Sequence, residues 1–435
     1  MTLGVVPGHP GSHKGTQYFS PRMARIKIKE FGPIKEGFQE GDGFIDIRKV
    51  TVFIGDQGSG KSSVAKLVST FSWMEKALVR GDLPKKRAVR KGYFNTRLDY
   101  HRLKTYQREQ SEIEFDGEAY HFRYANGKLE VNSKPSIAYH LPQVIYAPAE
   151  RNFIAYVSKA KALKMTSPAL LEFVDVYDSA KEALNGGVEL PINQTTAIYN
   201  RARGVVQLGA PGHKDLDLTD ASSGFQSLVP LYLVSRFLAR SIQKKGPNDA
   251  SDPMSAEERE RFRKDVETIW ANEDLTDEQR RLTLSARAAK INKSAFINIV
   301  EEPEQNLFPT SQWEMLKSLL QFNEANNKLV ITTHSPYLIA YLSLCIQAKS
   351  LWDHDKIKAD PKAKEKVSAI VPEHALLNTV DAAFYQLNVN GVIKRLPNYD
   401  GVPSDENYLN EGLHKANERF DKLLEIEQGL DSKAS

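Results

Sequence analysis

The stretch FIGDQGSGKSSVAKL, residues 53 to 67, is apolar up to Gly55, glycine-rich to Gly60, and spaced like a helix after Lys61. Gly55, Gly60, Lys61 and Ser62 fit G-x-x-x-x-G-K-[ST], with a strand pattern before the motif and a helix pattern after it. Glycines, Gly58 among them, let backbone N–H groups converge on phosphate oxygens with no Cβ in the way. The simpler alternative is a glycine turn that caps a helix, but chance matches arise in only on the order of 1% of chains this long. The run from Gly55 through Asp56, Gln57, Gly58, Ser59, Gly60 and Lys61 to Ser62 and Ser63 therefore reads as a phosphate loop for a nucleoside triphosphate. Lys61 would reach the β- and γ-phosphates, and the Ser62 hydroxyl would ligate Mg²⁺.

Three further clusters bear on the same chemistry. FINIVEEPE (296–304) sets Glu301 and Glu302 at the end of an apolar strand. The first acid can hold Mg²⁺, and the second can orient and deprotonate an attacking water. An exposed acidic turn after a strand is the lesser alternative. VITTHSP (330–336) ends another apolar strand at His334, whose imidazole could contact the γ-phosphate. DASSGFQSLVPLY (220–232) places Ser223 and Gly224 at a helix N-terminus, where the dipole and free N–H groups favour an anion. A plain serine N-cap is the alternative there.

Outward from these, RIKIKEFGPI (25–34) and GFIDIRKVTVFIG (43–55) predict strands, and SEIEFDGEAYHFRYANGKLEVN (111–132) predicts an antiparallel meander turning at Asp-Gly and Asn-Gly. SLVPLYLVSRFLARSI predicts an apolar helix opening at Ser222 or Ser223, and Ser255/Glu258 and Thr276/Gln279 form capping boxes. The tail predicts a hairpin at 384–396 and an amphipathic helix at 410–428. The expected fold is α/β: a P-loop NTPase with a mixed sheet flanked by helices, an antiparallel β meander and a helical insertion. Residues 1–22 read as a disordered leader, or as a start placed one methionine before Met23. One domain then covers 23–435, with a basic insertion at 80–108, a mixed one at 154–220 and a charged helical one at 244–293.

The net charge of +4 is small for 435 residues, so nucleic-acid affinity would need a local patch. Residues 80–108 supply one: ten Lys or Arg against two Asp leave +8. Tyr93, Phe94, Tyr100 and Tyr106 are available there for base stacking; a solvated basic hairpin is the alternative. A single cysteine, Cys345, cannot form an internal disulfide and fits a cytoplasmic setting. No run reaches the ~20 apolar residues of a membrane span.

The order phosphate loop, Ser222–Gln226, Ile297–Glu302, His334 resembles the ABC-type ATPases, with Walker A, an LSGGQ-like signature, Walker B and a switch histidine. EEPEQNLFP (301–309) resembles the soluble branch that includes RecF, SMC-like and OLD-family ATPases. The resemblance implies an ATP sandwich between two copies, in which Ser223, Gly224 and Gln226 of one face the nucleotide of the other. It makes Glu302 the general base, His334 the γ-phosphate sensor, and Ser62 and Glu301 the Mg²⁺ ligands. The chain departs from the pattern at Ser222 and Phe225, where LSGGQ has Leu and Gly, and at Glu301, where Asp is usual. VIYAPAERNF (144–153) stands at the glutamine loop but carries Glu150 and Arg151. The resemblance leaves three roles open. The favoured one is an OLD- or PARIS-like defence ATPase acting with a separate effector such as a nuclease. The others are a RecF- or SMC-like DNA-repair head and the ATPase subunit of a transporter.

Overall fold

Val50–Gly55 is buried at all six positions, as expected of a strand covered on both faces. In the computed structural model, which describes residues 23–135, 139–156, 167–210, 212, 215–243, 256–276, 294–324 and 326–434, this strand lies within a seven-stranded sheet. The order across the sheet is Gly37–Phe38, Val392–Arg395, Ala382–Leu387, Val50–Gly55, Lys328–Thr332, Ala295–Glu301, Pro142–Ala147. The five strands from Ala382–Leu387 to Pro142–Ala147 run parallel, and Val392–Arg395 returns antiparallel through the predicted hairpin. Lys328–Thr332 lies between the loop strand and the carboxylate strand. The chain order Lys61, Glu302, His334 thus becomes the spatial order Lys61, His334, Glu302.

Side chains of period two sort to opposite faces. Val50, Val52 and Ile54 join one core, with Val300, Leu329 and Ile331, under the helices Ser223–Gln243, Pro309–Gln321 and Pro336–Asp353. Phe53, Ile299 and Val330 join another, built around the helix Lys61–Arg80. A five-stranded antiparallel sheet covers that helix from the other side, in the order Ile45–Ile47, Ala24–Lys29, Glu112–Asp116, Tyr120–Ala125, Lys128–Ser133. Its last turn has Asn126 and Gly127 both at positive φ, 51° and 71°, the I′ geometry that Asn-Gly favours. The helix after the phosphate loop is thus clamped between two sheets.

Two insertions differ from their sequence reading. Residues 80–108 are short helices, Lys85–Ala88 and Tyr93–Tyr100, not a hairpin. Phe94 is buried there against Phe71 and Tyr124, so it does not serve base stacking. Residues 154–220, read as helix and loop, contain an antiparallel sheet ordered Leu216–Asp217, Val205–Gly209, Thr196–Asn200, Gly187–Glu189. Its strands are two to five residues long, too short for alternation to stand out in sequence. In the third insertion Ala256–Ala271 is helical, while Ser255 of the first capping box lies outside the described residues. The second box's helix and the 1–22 leader lie outside the described residues. Among the described residues, no helix is long and apolar enough to cross a membrane.

Candidate nucleotide site

Gly55, Gly58 and Gly60 take φ of 141°, 74° and 103°, values that suit glycine and curl the chain into a cradle. At Gly55 a Cβ would stand 2.0 Å from the Leu387 carbonyl oxygen of the neighbouring strand, whereas at Gly58 nothing lies within 4 Å. Gly55→Ala should therefore cost roughly 3 kcal/mol or more, and Gly58→Ala only the ~1–2 kcal/mol of a left-handed residue. Urea melts of the two variants check the ranking.

Lys61 opens the helix Lys61–Arg80 and folds back over the loop. Its Nζ donates to the Gly55 and Asp56 carbonyls, both at 2.7 Å. Burial pushes its ammonium down to about 8, against the pull of Glu302, Asp56, Glu304 and Glu301. Ser59 is buried with its hydroxyl unpartnered, while Asp56, Gln57 and Gly58 face solvent. Ser62 is half-buried and Ser63 buried in the first helical turn.

Glu301 closes the strand Ala295–Glu301; it is buried, and its Oε1 has no hydrogen-bond partner. The Tyr146 hydroxyl, on the adjacent strand, is kept protonated by burial and by the charge of Glu301. Glu302 follows at φ 44°, a left-handed position costing ~1–2 kcal/mol for an L-residue. It is held there by its N–H, which donates to the Thr332 carbonyl at 2.8 Å. The Glu302 Oε1 and His334 Nε2 stand 3.7 Å apart, beyond hydrogen-bond length. Burial and the neighbouring Lys61 lower the His334 pKa, opposed by Glu302 and Asp56, so the ring is neutral at pH 7. Glu304, two residues past Glu302, plays a different part. Its Oε1 accepts from Thr333 Oγ1 and from the His334 N–H, both at 2.7 Å. It fixes the backbone that carries the histidine.

The signature segment folds as a separate element. Ser223 and Gly224 open the helix Ser223–Gln243, with Ser222 and Ser223 exposed. Gln226, carried over by resemblance as a nucleotide contact, is instead buried. Its amide donates to the Thr219 and Ala221 carbonyls at 3.0 Å and accepts from the Tyr156 hydroxyl at 2.9 Å. That leaves Ser223 and Gly224 as the groups open to an anion. Phe225, in place of a glycine, packs half-buried on the main core. Sequence reasoning assigned nothing to Arg151, which is buried beside Glu301 and Glu302. An arginine four residues past the end of the buried strand Pro142–Ala147 was its one sequence signal.

The residues present fit a nucleoside triphosphate and Mg²⁺. Among the buried polar atoms without partners are Ser59 Oγ and Glu301 Oε1; Ser59 lies in the loop that the motif assigns to phosphate, and Glu301 ends the strand that the resemblance assigns to the metal. Ser62 and Glu301 would hold Mg²⁺, which would supply positive charge against the negative charge developing on the phosphates. The fold and the loop define a P-loop NTPase of the α/β class. A family model described as an AAA ATPase domain matches residues 273–339, a stretch that includes Glu301, Glu302 and His334 but not the phosphate loop. No curated protein matches the chain. Among solved structures it is similar to the SMC head domain from Thermotoga maritima, at 12% identity and TM-score 0.35, covering 87% of this chain and 99% of that one. An SMC head from Pyrococcus furiosus, bound to the C-terminal domain of ScpA, gives 11% and 0.35 over 92% and 100%. A nucleotide-free ATP-binding cassette from an ABC transporter gives 13% and 0.28 over 87% and 93%.

Proposed function

We propose that this chain is an ABC/SMC-type ATPase head that binds ATP and Mg²⁺ on the Gly55–Ser63 loop and hydrolyses ATP through Glu302. One observation carries this reading: a buried lysine, an acid at the strand end and a histidine meet at the ends of three adjacent parallel strands. Lys61 binds the β- and γ-phosphates, Glu302 takes the proton of the attacking water, and His334 contacts the γ-phosphate. Closure places Ser223 and Gly224 of a second copy on that phosphate. The ATP-bound dimer then acts on a separate effector protein such as a nuclease, as the OLD-like resemblance implies for anti-phage defence. The test is phosphate release with Mg²⁺-ATP, alongside light scattering with and without nucleotide. Absence of turnover, or a mass that nucleotide does not change, would overturn the hydrolytic or the dimer half respectively.

A DNA-binding head is the second reading, favoured by one feature. Lys85, Lys86 and Arg87 are all exposed on one short helix, with Arg90 and Lys91 exposed beside it. If these cations contact phosphates, replacing Lys85, Lys86 and Arg87 with Ala should flatten the plot of log K against log salt by about 0.9 per lost contact. Fluorescence anisotropy on a DNA duplex across a salt series reads that slope. An unchanged slope returns the segment to an ordinary solvated surface.

A further inference from the structure

Arg151 is fully buried, and the hydrogen bonds it donates end on main-chain carbonyls. Nη1 donates to Glu301 O at 2.6 Å and to Pro148 O at 3.1 Å; Nη2 donates to Glu302 O at 2.6 Å; Nε donates to Ser227 O at 3.2 Å. Burial pulls its pKa down to about 10, which leaves it charged at neutral pH. A cation this deep is costly to desolvate, and it is tolerated because its donors are matched by carbonyls. What a guanidinium adds is a planar fork with fixed donor directions. Here that fork spans the turn after one strand, the end of the carboxylate strand and the helix Ser223–Gln243.

A second tie runs parallel to the first. Asn306 Nδ2 donates to Ser227 Oγ at 3.1 Å. A Cβ on Gly224 would stand 2.9 Å from the Asn306 carbonyl oxygen, so the first helical turn lies directly on the loop after Glu302. We infer that Arg151 is a positioning residue that locks the Glu302 backbone to the first turns of the Ser223–Gln243 helix. A phosphate held at that helix N-terminus and the Glu302 carboxylate thereby move as one body. The left-handed backbone at Glu302 needs such a hold, because without it the residue relaxes away from φ 44°. The inference rests on reading the chain as an ATPase, with Glu302 as its base.

Arg151→Lys keeps the charge and loses the fork. It should leave the Kd for a fluorescent ATP analogue within about twofold, while single-turnover hydrolysis falls on the order of 100-fold, as expected of a misplaced base. In a Glu302→Gln background the same change should lower turnover by less than about twofold, because both act through one group. A merely structural arginine would cut both backgrounds alike, and that result overturns the inference. If Arg151→Lys does not fold, Ser227→Ala loosens the second tie at a helical position and should slow hydrolysis several-fold at unchanged Kd. Unchanged turnover in Ser227→Ala would then count against the lock. A wild-type protein that binds ATP without hydrolysing it defeats the ATPase reading and the lock together. Wild-type turnover with unaltered Arg151→Lys kinetics defeats the lock alone.

Discussion

Glu302→Gln should bind ATP at least as tightly as the wild-type chain and hydrolyse it roughly 10²–10⁴-fold more slowly, the usual contribution of a general base. The amide is isosteric and keeps the main-chain bonds that hold the residue, namely its N–H to Thr332 and its carbonyl to Arg151 and to the Gln305 N–H. Only the base and one negative charge are lost. The charge matters for binding, because Glu302 is the leading attraction on the Lys61 ammonium and also acts on His334. Removing a carboxylate that faces the γ-phosphate lifts a repulsion, so affinity holds or rises while chemistry stops. ATP then stays bound, and a dimer closed by ATP accumulates as a larger species on light scattering. Normal turnover would move the base to Glu301 or Glu304. Glu301 is buried in the metal-side strand end, and one Glu304 oxygen is occupied by Thr333 and the His334 N–H. Neither is as free as Glu302 to meet a water.

Three parts of this site that could be read from sequence share one property: each sits at or just past a strand end. Gly55, Glu301 and His334 follow runs whose burial on both faces writes an unbroken apolar pattern, so both the strand and the residue just after it stand out. Residues that act across the chain leave no such trace. Arg151 is defined by carbonyls contributed from positions 148, 227, 301 and 302, and no local pattern encodes that meeting. Gln226 shows the opposite failure. The resemblance supplied a role, but its amide is spent on the turn that precedes its own helix. Phe94 looked free for stacking in a stretch carrying a charge of +8. In the fold it is an apolar anchor by which that stretch packs on the helix Lys61–Arg80 through Phe71. The small sheet within 187–217 was invisible because its strands are short and half-buried.

Lys61→Ala should weaken ATP binding roughly 10²–10⁴-fold. Two charge-assisted bonds to phosphate oxygens, at ~1.5–3 kcal/mol each, set that range. Retained micromolar affinity by calorimetry would sink the site. The wild-type lysine also predicts a pH dependence that the variant lacks. Its pKa in the folded chain is about 8, below the ordinary value of 10.5, because the ammonium is buried. Between those values the unfolded chain binds more protons than the folded one, so the stability of the nucleotide-free protein rises with pH across that window. The burial penalty is fully present below about 8 and is relieved as the group deprotonates. A bound triphosphate supplies the missing counter-charge and favours the ammonium, so above about pH 8 binding must take up a proton. Wild-type affinity should then fall by up to tenfold per pH unit above that point. Lys61→Ala should show a flat profile over the same range, because the proton it would have taken up has no site. Equal pH slopes in the two proteins would mean that another group carries the proton and that Lys61 is not the cation facing the phosphates.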